Sequence, residues 1–320
     1  MRRSNLSTAA VHSLDHVGFA VPDLEKARHF YEHFGLEVRD AKDPAGNARL
    51  EVHAHGDPRA WLFIDPSRTD RKKLGWLSFG AYEEDLPAIH ARLETMAKKV
   101  DAPPTREKNA IFYEGPHGVV LEVRATPKRT VDEPEAAVVR PRTDSRGAPL
   151  RSRSWKVKPL RLSHALVFSP DIAETVAFYT EALGLRVSDD SPGIVFLHAP
   201  HGSDHHVIAF AKGPSAGLHH VSWVVTSLDD IGLGATHMAE QGYDRGWGLG
   251  RHVLGSNYFH YVRDPWGSYS EYSFDIDHIP SSLDWPASTQ TPEDGFYLWG
   301  PSVPADFITN YEAPDAPPAK

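Results

Sequence analysis

The sequence predicts an α+β protein built as a tandem duplication, each half being itself two strand–helix–strands units. Three internal matches predict it. Residues 162–187, LSHALVFSPDIAETVAFYTEALGLRV, repeat residues 14–38, LDHVGFAVPDLEKARHFYEHFGLEV, almost element for element. LHHVSWVVTSLDDI (218–231) repeats LGWLSFGAYEEDLPAI (74–89), and YFHYVRDPWGSYSEYS (258–273) repeats AIFYEGPHGVVLEVRA (110–125). Self-similarity at this length constrains the fold more than any single propensity does.

Taken in order, LDHVGFAV alternates well enough for a strand. Pro22-Asp23 starts a helix whose Leu24, Ala27, Phe30, Tyr31 and Phe34 share one face, and Gly35 stops it. Strands follow in LEVRD, RLEVHAH and AWLFID. The second unit reads as strand LGWLSFGA, helix over 83–100, and strands NAIFYE and GVVLEVRA around Gly115-Pro116-His117-Gly118. Proline, arginine and serine without apolar periodicity make 125–160 a linker between an N-terminal domain (1–124) and a C-terminal domain (161–280). The tail 281–320 contains FYLWG (296–300), too aromatic to leave in water, and is expected to pack back on the body over a pocket.

With 320 residues, 40% hydrophobic and 24% charged, the chain can bury two cores and is not a disordered one. The absence of cysteine excludes disulfide scaffolds, zinc–thiolate sites and thiol nucleophiles. A net charge of −9 argues against a nucleic-acid partner. No apolar run reaches the ~18 residues of a membrane span and no signal peptide is read, so cytoplasm is expected.

The halves also differ where chemistry is concerned. Equivalent strand positions carry His164, His220 and Glu271 in the second half but His16, Trp76 and Glu122 in the first. Two histidines and a carboxylate from three strands form a facial triad suited to Fe(II) or Mn(II), with zinc chemically open. Trp76 cannot be a ligand, so the first half reads as scaffold. Pairing LHHVSW with LGWLSF chooses His220 over His219. His206, with His205 as the one-residue alternative, opens a strand in SDHHVIAFA, and His252 and Tyr261 lead into a hairpin turned by Asp264-Pro265-Trp266-Gly267. Histidine suits acid–base work, and tyrosine can donate to developing negative charge. Pocket candidates are His198, Trp247, Tyr258, Phe259, Phe296 and Trp299, a set that favours a flat neutral ring. Arg245, Arg251 or Arg263 could instead pair with a carboxylate, so an acidic ring stays open beside a neutral one.

The run Gly250-Arg251-His252 … Tyr261-Val262-Arg263-Asp264-Pro265-Trp266-Gly267 … Glu271 resembles the pattern of the two-domain type I extradiol catechol dioxygenases of the vicinal oxygen chelate superfamily, over roughly residues 12–300. One position departs: the residue before the tyrosine is usually aliphatic and is here His260. The resemblance implies cup-shaped βαβββ modules, two per domain, with a metal in the C-terminal cup. It implies His164, His220 and Glu271 as Fe(II) ligands, His206 as the acid–base residue, and His252 and Tyr261 as contacts to substrate oxygens. The implied reaction is ring opening of a small aromatic diol with O2 as co-substrate, and homo-oligomers are common in the family. A metal-dependent lyase or isomerase, or a module that only binds aromatic ligands, would share the fold; the first carries more glutamate in its triad and the second tends to lose it.

Overall fold

The computed structural model describes residues 9–102, 111–134, 144 and 146–319. In the first half β1 (Val11–Val21), α1 (Leu24–His33), β2 (Glu37–Lys42), β3 (Ala48–His53) and β4 (Leu62–Pro66) make one βαβββ module. A second consists of β5 (Lys73–Ala81), α2 (Leu86–Met96), β6 (Lys98–Val100), β7 (Phe112–Glu114) and β8 (Val120–Ala125). The second half repeats both: β9 (Arg161–Ser169), α3 (Ile172–Leu183), β10 (Arg186–Ser191), β11 (Ile194–His198), a short β12 (Ser203–Asp204) and β13 (Ile208–Lys212). Then come β14 (Gly217–Val224), α4 (Leu228–Glu240), β15 (Gly246–Arg251), β16 (Tyr258–Arg263) and β17 (Tyr269–Phe274), with β18 (His278–Ile279) and β19 (Ser288–Thr289) in the tail.

The duplication extends to strand order. One sheet runs β2-β3-β4-β1-β5-β8-β7-β6 and the other, read from its β10 edge, runs β10-β11-β13-β9-β14-β17-β16-β15, with β19 added beyond β10. The central long strands bury nearly every residue, as strands covered on both faces must.

Local chemistry sets the helix ends. The side chain of Asp23 accepts from Lys26 N at 3.0 Å, and Asp171 accepts from Glu174 N at 3.0 Å. Gly184, at φ 74°, closes α3 in the left-handed region that a β-carbon disfavours. The helix expected over 83–100 is shorter at both ends. It begins at Leu86, with Pro87 in its first turn, and Lys98–Val100 leave it to pair antiparallel with Phe112–Glu114. Each module needs three strands after its helix, and pairing overrides helix propensity there. Asn109 and Ala110 of the expected strand, and residues 135–143 and 145 of the linker, lie outside the described residues.

The linker does not leave the body at once. The buried Arg129 guanidinium lies 3.1 Å over the Trp61 ring and donates to the carbonyls of Asp15 and Ala60 and to Asp57. Between the halves, the Phe34 and Tyr272 rings stack at 3.8 Å and the Tyr272 hydroxyl donates to Phe34 O. Buried Lys72 pairs with buried Asp264 at 2.6 Å. The tail adds a staple: Glu312 accepts from Leu74 N in one half and Leu218 N in the other. No helix among the described residues is long and apolar enough to cross a membrane.

Candidate active site

One row of side chains crosses the second sheet. Trp247 lies opposite Tyr261, Tyr261 opposite Glu271, Glu271 opposite Ser222, and Ser222 opposite His164. Residues opposite one another point to the same face, and so does His220, two residues from Ser222 along β14. The ligating atoms of His164, His220 and Glu271 therefore fall within 4.8 Å of one another, all three residues being buried. His164 Nε2 stands 3.3 Å and His220 Nε2 3.8 Å from Glu271 Oε2.

The far side of each ring is occupied. His220 Nδ1 meets His219 Nδ1 at 2.7 Å, and His219 Nε2 meets the carbonyl of Phe307 at 2.8 Å. A carbonyl only accepts, so His219 carries its proton on Nε2 and accepts at Nδ1 from His220 Nδ1–H. That leaves a lone pair on His220 Nε2, aimed at Glu271. Ser163 Oγ lies 3.1 Å from His164 Nδ1. Asn257 Nδ2 donates to Glu271 Oε1 and to Ser273 Oγ.

Two buried atoms at the centre, His220 Nε2 and Glu271 Oε2, have no hydrogen-bond partner. An orphaned lone pair and an orphaned carboxylate oxygen facing one another are costly unless a cation binds both. Electrostatics agree. Burial would raise Glu271, but the closeness of His164, and then of His252, holds its carboxyl below the usual range. Burial, then neighbouring imidazoles, pushes His220 and His206 well below the ordinary value. A carboxylate with neutral imidazoles is the donor set that a divalent ion of the Fe(II) or Mn(II) type accepts.

Beside this centre is a cavity of about 300 Å³, lined by Leu166, Ile194, Phe196, Leu254, Phe296 and Phe307 among others. His206, His252, Asn257 and Tyr261 face it as well. His206 sits in the connection before β13 rather than at the start of a strand. His252 Nδ1 meets the carbonyl of Phe296 at 2.7 Å and its Nε2 meets the Tyr261 hydroxyl at 2.9 Å. The Tyr261 phenol is pushed well above its ordinary value, by burial and then by Glu271.

Of the expected pocket residues, Trp247 and Phe296 line the cavity; His198, Tyr258, Phe259 and Trp299 do not, and neither does Arg251. His198 ends β11 beyond the cavity, and its Nδ1 is taken by Ser188 Oγ at 2.8 Å. Arg251 is turned away by a register shift between Gly248 and Gly250, which moves it off the Trp247 face. It lies 4.2 Å over the Tyr258 ring and pairs with Asp275. Of FYLWG, Phe296 reaches the cavity while Leu298 and Trp299 stay 67% and 44% exposed. His260 points to the opposite face from Tyr261, and burial lowers it to about 4.

Sequence reading missed Asn257 and the two tail carbonyls. A polar residue just ahead of the aromatic run was the available signal for Asn257; a carbonyl leaves none. In the first half the same register holds another arrangement. Trp76 Nε1 donates to His16 Nε2 at 3.0 Å, with Glu122 Oε2 3.5 Å from that nitrogen. Trp76 lies opposite Gly18 where His220 lies opposite Leu166, and a β-carbon on Gly18 would sit 2.3 Å from the indole.

Comparison with known proteins follows the same lines. A family model described as the Glyoxalase/Bleomycin resistance protein/Dioxygenase superfamily matches residues 13–123 and again 161–272. Metapyrocatechase 2 of Cupriavidus necator is 44% identical over 307 residues, 95% of this chain and 93% of that protein. A biphenyl-2,3-diol 1,2-dioxygenase of Metapseudomonas furukawaii is 27% identical over 292 residues, 83% of this chain and 86% of that one. The solved 2,2',3-trihydroxybiphenyl 1,2-dioxygenase of Sphingomonas wittichii strain RW1 shares the fold, with a TM-score of 0.69 and 22% identity, over 92% of this chain and 100% of that one.

Proposed function

The chain belongs to the glyoxalase/bleomycin resistance protein/dioxygenase superfamily, and on that footing we propose that it is an extradiol dioxygenase opening the ring of a neutral, substituted catechol. One observation carries the reading: two orphaned ligand atoms, His220 Nε2 and Glu271 Oε2, buried beside an apolar cavity. His164, His220 and Glu271 would hold Fe(II), with Mn(II) as the alternative. Bound there, such an ion would supply a shared site for both catechol oxygens and O2 and a route for electron density between them. The first domain (1–124) serves as scaffold, the second (161–280) carries the reaction, and the cytoplasm is its expected place.

The protein's own groups do the rest. His206 takes a proton from a catechol hydroxyl at Nε2, the ring atom left after His205 occupies Nδ1, and returns it to an oxygen later. Tyr261 keeps its proton and so acts as a donor. Without substrate it donates to His252 Nε2, and a substrate oxygen competes for that bond as negative charge develops on it. Trp247, Phe296 and Phe307 exclude water from the ring.

Charge placement favours a neutral substituent. Arg251 is engaged by Asp275 and Arg263 by Asp306, and the Lys212 ammonium at the cavity wall donates to the carbonyl of Pro170. Among the described residues Lys212 is the one lysine or arginine on the cavity wall, so a substrate carboxylate would enter a mostly apolar space with a single cation at its edge.

The test is oxygen uptake by protein loaded anaerobically with Fe(II), and separately with Mn(II), on catechol, 3-methylcatechol, 3-phenylcatechol and homoprotocatechuate. Uptake matched mole for mole by yellow ring-opened product, highest on the neutral substituted rings and abolished in Glu271→Ala, is expected. Absence of uptake with metal bound would overturn the reading.

A further inference from the structure

His206 has a chain of buried groups behind it that the reaction as described does not use. Its Nδ1 lies 3.1 Å from His205 Nδ1, and His205 Nε2 lies 2.8 Å from Asp189 Oδ2. All three residues are buried, and of the three only His206 faces the cavity. Asp189 is fixed from the tail: its Oδ1 accepts from Ser288 N at 2.8 Å and Ser288 Oγ at 2.6 Å, and its Oδ2 also accepts from Trp285 Nε1 at 3.2 Å. The His205 backbone N–H donates to Asp277 O at 2.6 Å, which holds the doublet in place.

The direction of these bonds follows from the acceptor at the end. Four donors converge on Asp189, as suits a carboxylate that only accepts. His205 must then place its proton on Nε2 and offer a lone pair at Nδ1. His206, to meet that lone pair, must carry its own proton on Nδ1. The lone pair of His206 Nε2 is thereby delivered to the cavity. The pair His219–His220 is built the same way but ends on the neutral carbonyl of Phe307. A carbonyl suffices for a ring that only keeps a lone pair; the ring proposed to move a proton is backed by a carboxylate.

We propose that Asp189 and His205 are positioning residues for ring cleavage, fixing His206 as the Nδ1–H tautomer so that its Nε2 meets the substrate hydroxyl as a base. The inference rests on the ring-cleavage reading. In the step it governs, the substrate O–H bond breaks, its electron pair stays on oxygen, and an N–H bond forms at His206 Nε2. The arrangement works as a carboxylate does behind a catalytic histidine in hydrolases, with one imidazole interposed.

Asp189→Asn, in the full chain loaded with metal, tests it. The amide oxygen can keep both Ser288 bonds, while Nδ2–H donates to His205 Nε2 and reverses every bond up to His206, which then carries its proton on Nε2. Expected is a fall in kcat of about 10-fold or more, with catechol KM and metal content unchanged. In a His206→Asn background the same change should cost nothing further, since the residue it acts through is gone. Should Asp189→Asn not fold, His205→Gln enters the same cycle with the same expectation. Unchanged kcat, or an equal loss in the His206→Asn background, would overturn the relay and leave the ring-cleavage reading standing. Inactivity of the metal-loaded wild type would overturn both.

Discussion

The carbonyl of Phe307, in the C-terminal tail, accepts from His219 Nε2 at 2.8 Å, and through His219 it fixes which nitrogen of His220 faces Glu271. A backbone atom 87 residues beyond His220 thus belongs to the proposed metal centre. Outer partners of this kind orient the ring and support its basicity. His219→Phe removes the acceptor that His220 Nδ1–H needs. Metal affinity should fall by about 10–100-fold, as outer partners of metal ligands typically do when mutated. Metal retained against a graded chelator series measures it; unchanged retention would show that the carbonyl link does not matter.

In the first half, Trp76 fills the room that His220 and Leu166 share in the second, with Gly18 conceding the space. The buried Arg49–Asp65 pair lies beside it, the guanidinium 5.8 Å from the Trp76 ring. Trp76 therefore acts through packing and its bond to His16. Trp76→Ala should cost about 3–5 kcal/mol of stability, the usual range for a buried aromatic cut back to alanine. Bound metal per chain should not change. Urea denaturation alongside metal analysis checks both; loss of metal would show that the first half shapes the second half's site.

What could be read in the sequence followed from repetition. His164, His220 and Glu271 stood out because the duplicated half places His16, Trp76 and Glu122 at the same strand positions, and strand parity then puts them on one face. Parity also explains the failures. The register shift at Gly248–Gly250 turns Arg251 away from the Trp247 face, and nothing in the glycine run marks which residue is skipped. His198 keeps the parity of Phe196 but lies past the cavity, a matter of strand length. The carbonyls of Phe296 and Phe307 act through atoms that every residue has, so no residue type could announce them. Asp189 sits in RVSDD, where nothing separates it from Asp190 before the tail folds over and brings Ser288 and Trp285 to it.

Lys72 and Asp264 join the halves at a point closed to water, at 2.6 Å, with Phe19 under the ammonium. Asp264 also accepts from Trp266 N and Ser268 N, which shapes the turn before Glu271. Lys72→Met leaves a buried carboxylate without its cation and should cost about 3–5 kcal/mol. Adding Asp264→Asn should recover most of that loss, because the amide oxygen can still hold the turn. Denaturation of the two single variants and the double variant measures the coupling; additive losses would show that the pair does not act as a unit.

Glu312 fastens the tail to both halves, and its ionisation should govern how firmly it does so. Burial raises its carboxyl from 4.5 to about 7, against the pull of the Leu74 and Leu218 amides and of Lys72 and Lys73. A raised acid binds more protons folded than unfolded between those two values, so stability falls as pH rises through that window. Its contribution is full below about 4.5 and is lost as pH passes about 7. Wild type should therefore lose denaturation midpoint between pH 5 and pH 8 relative to Glu312→Gln, which cannot ionise there. The wild type's tail should also be cut sooner by protease at pH 8 than at pH 5. Parallel midpoints for the two proteins across that range would mean that Glu312 is held ionised throughout by its two amides.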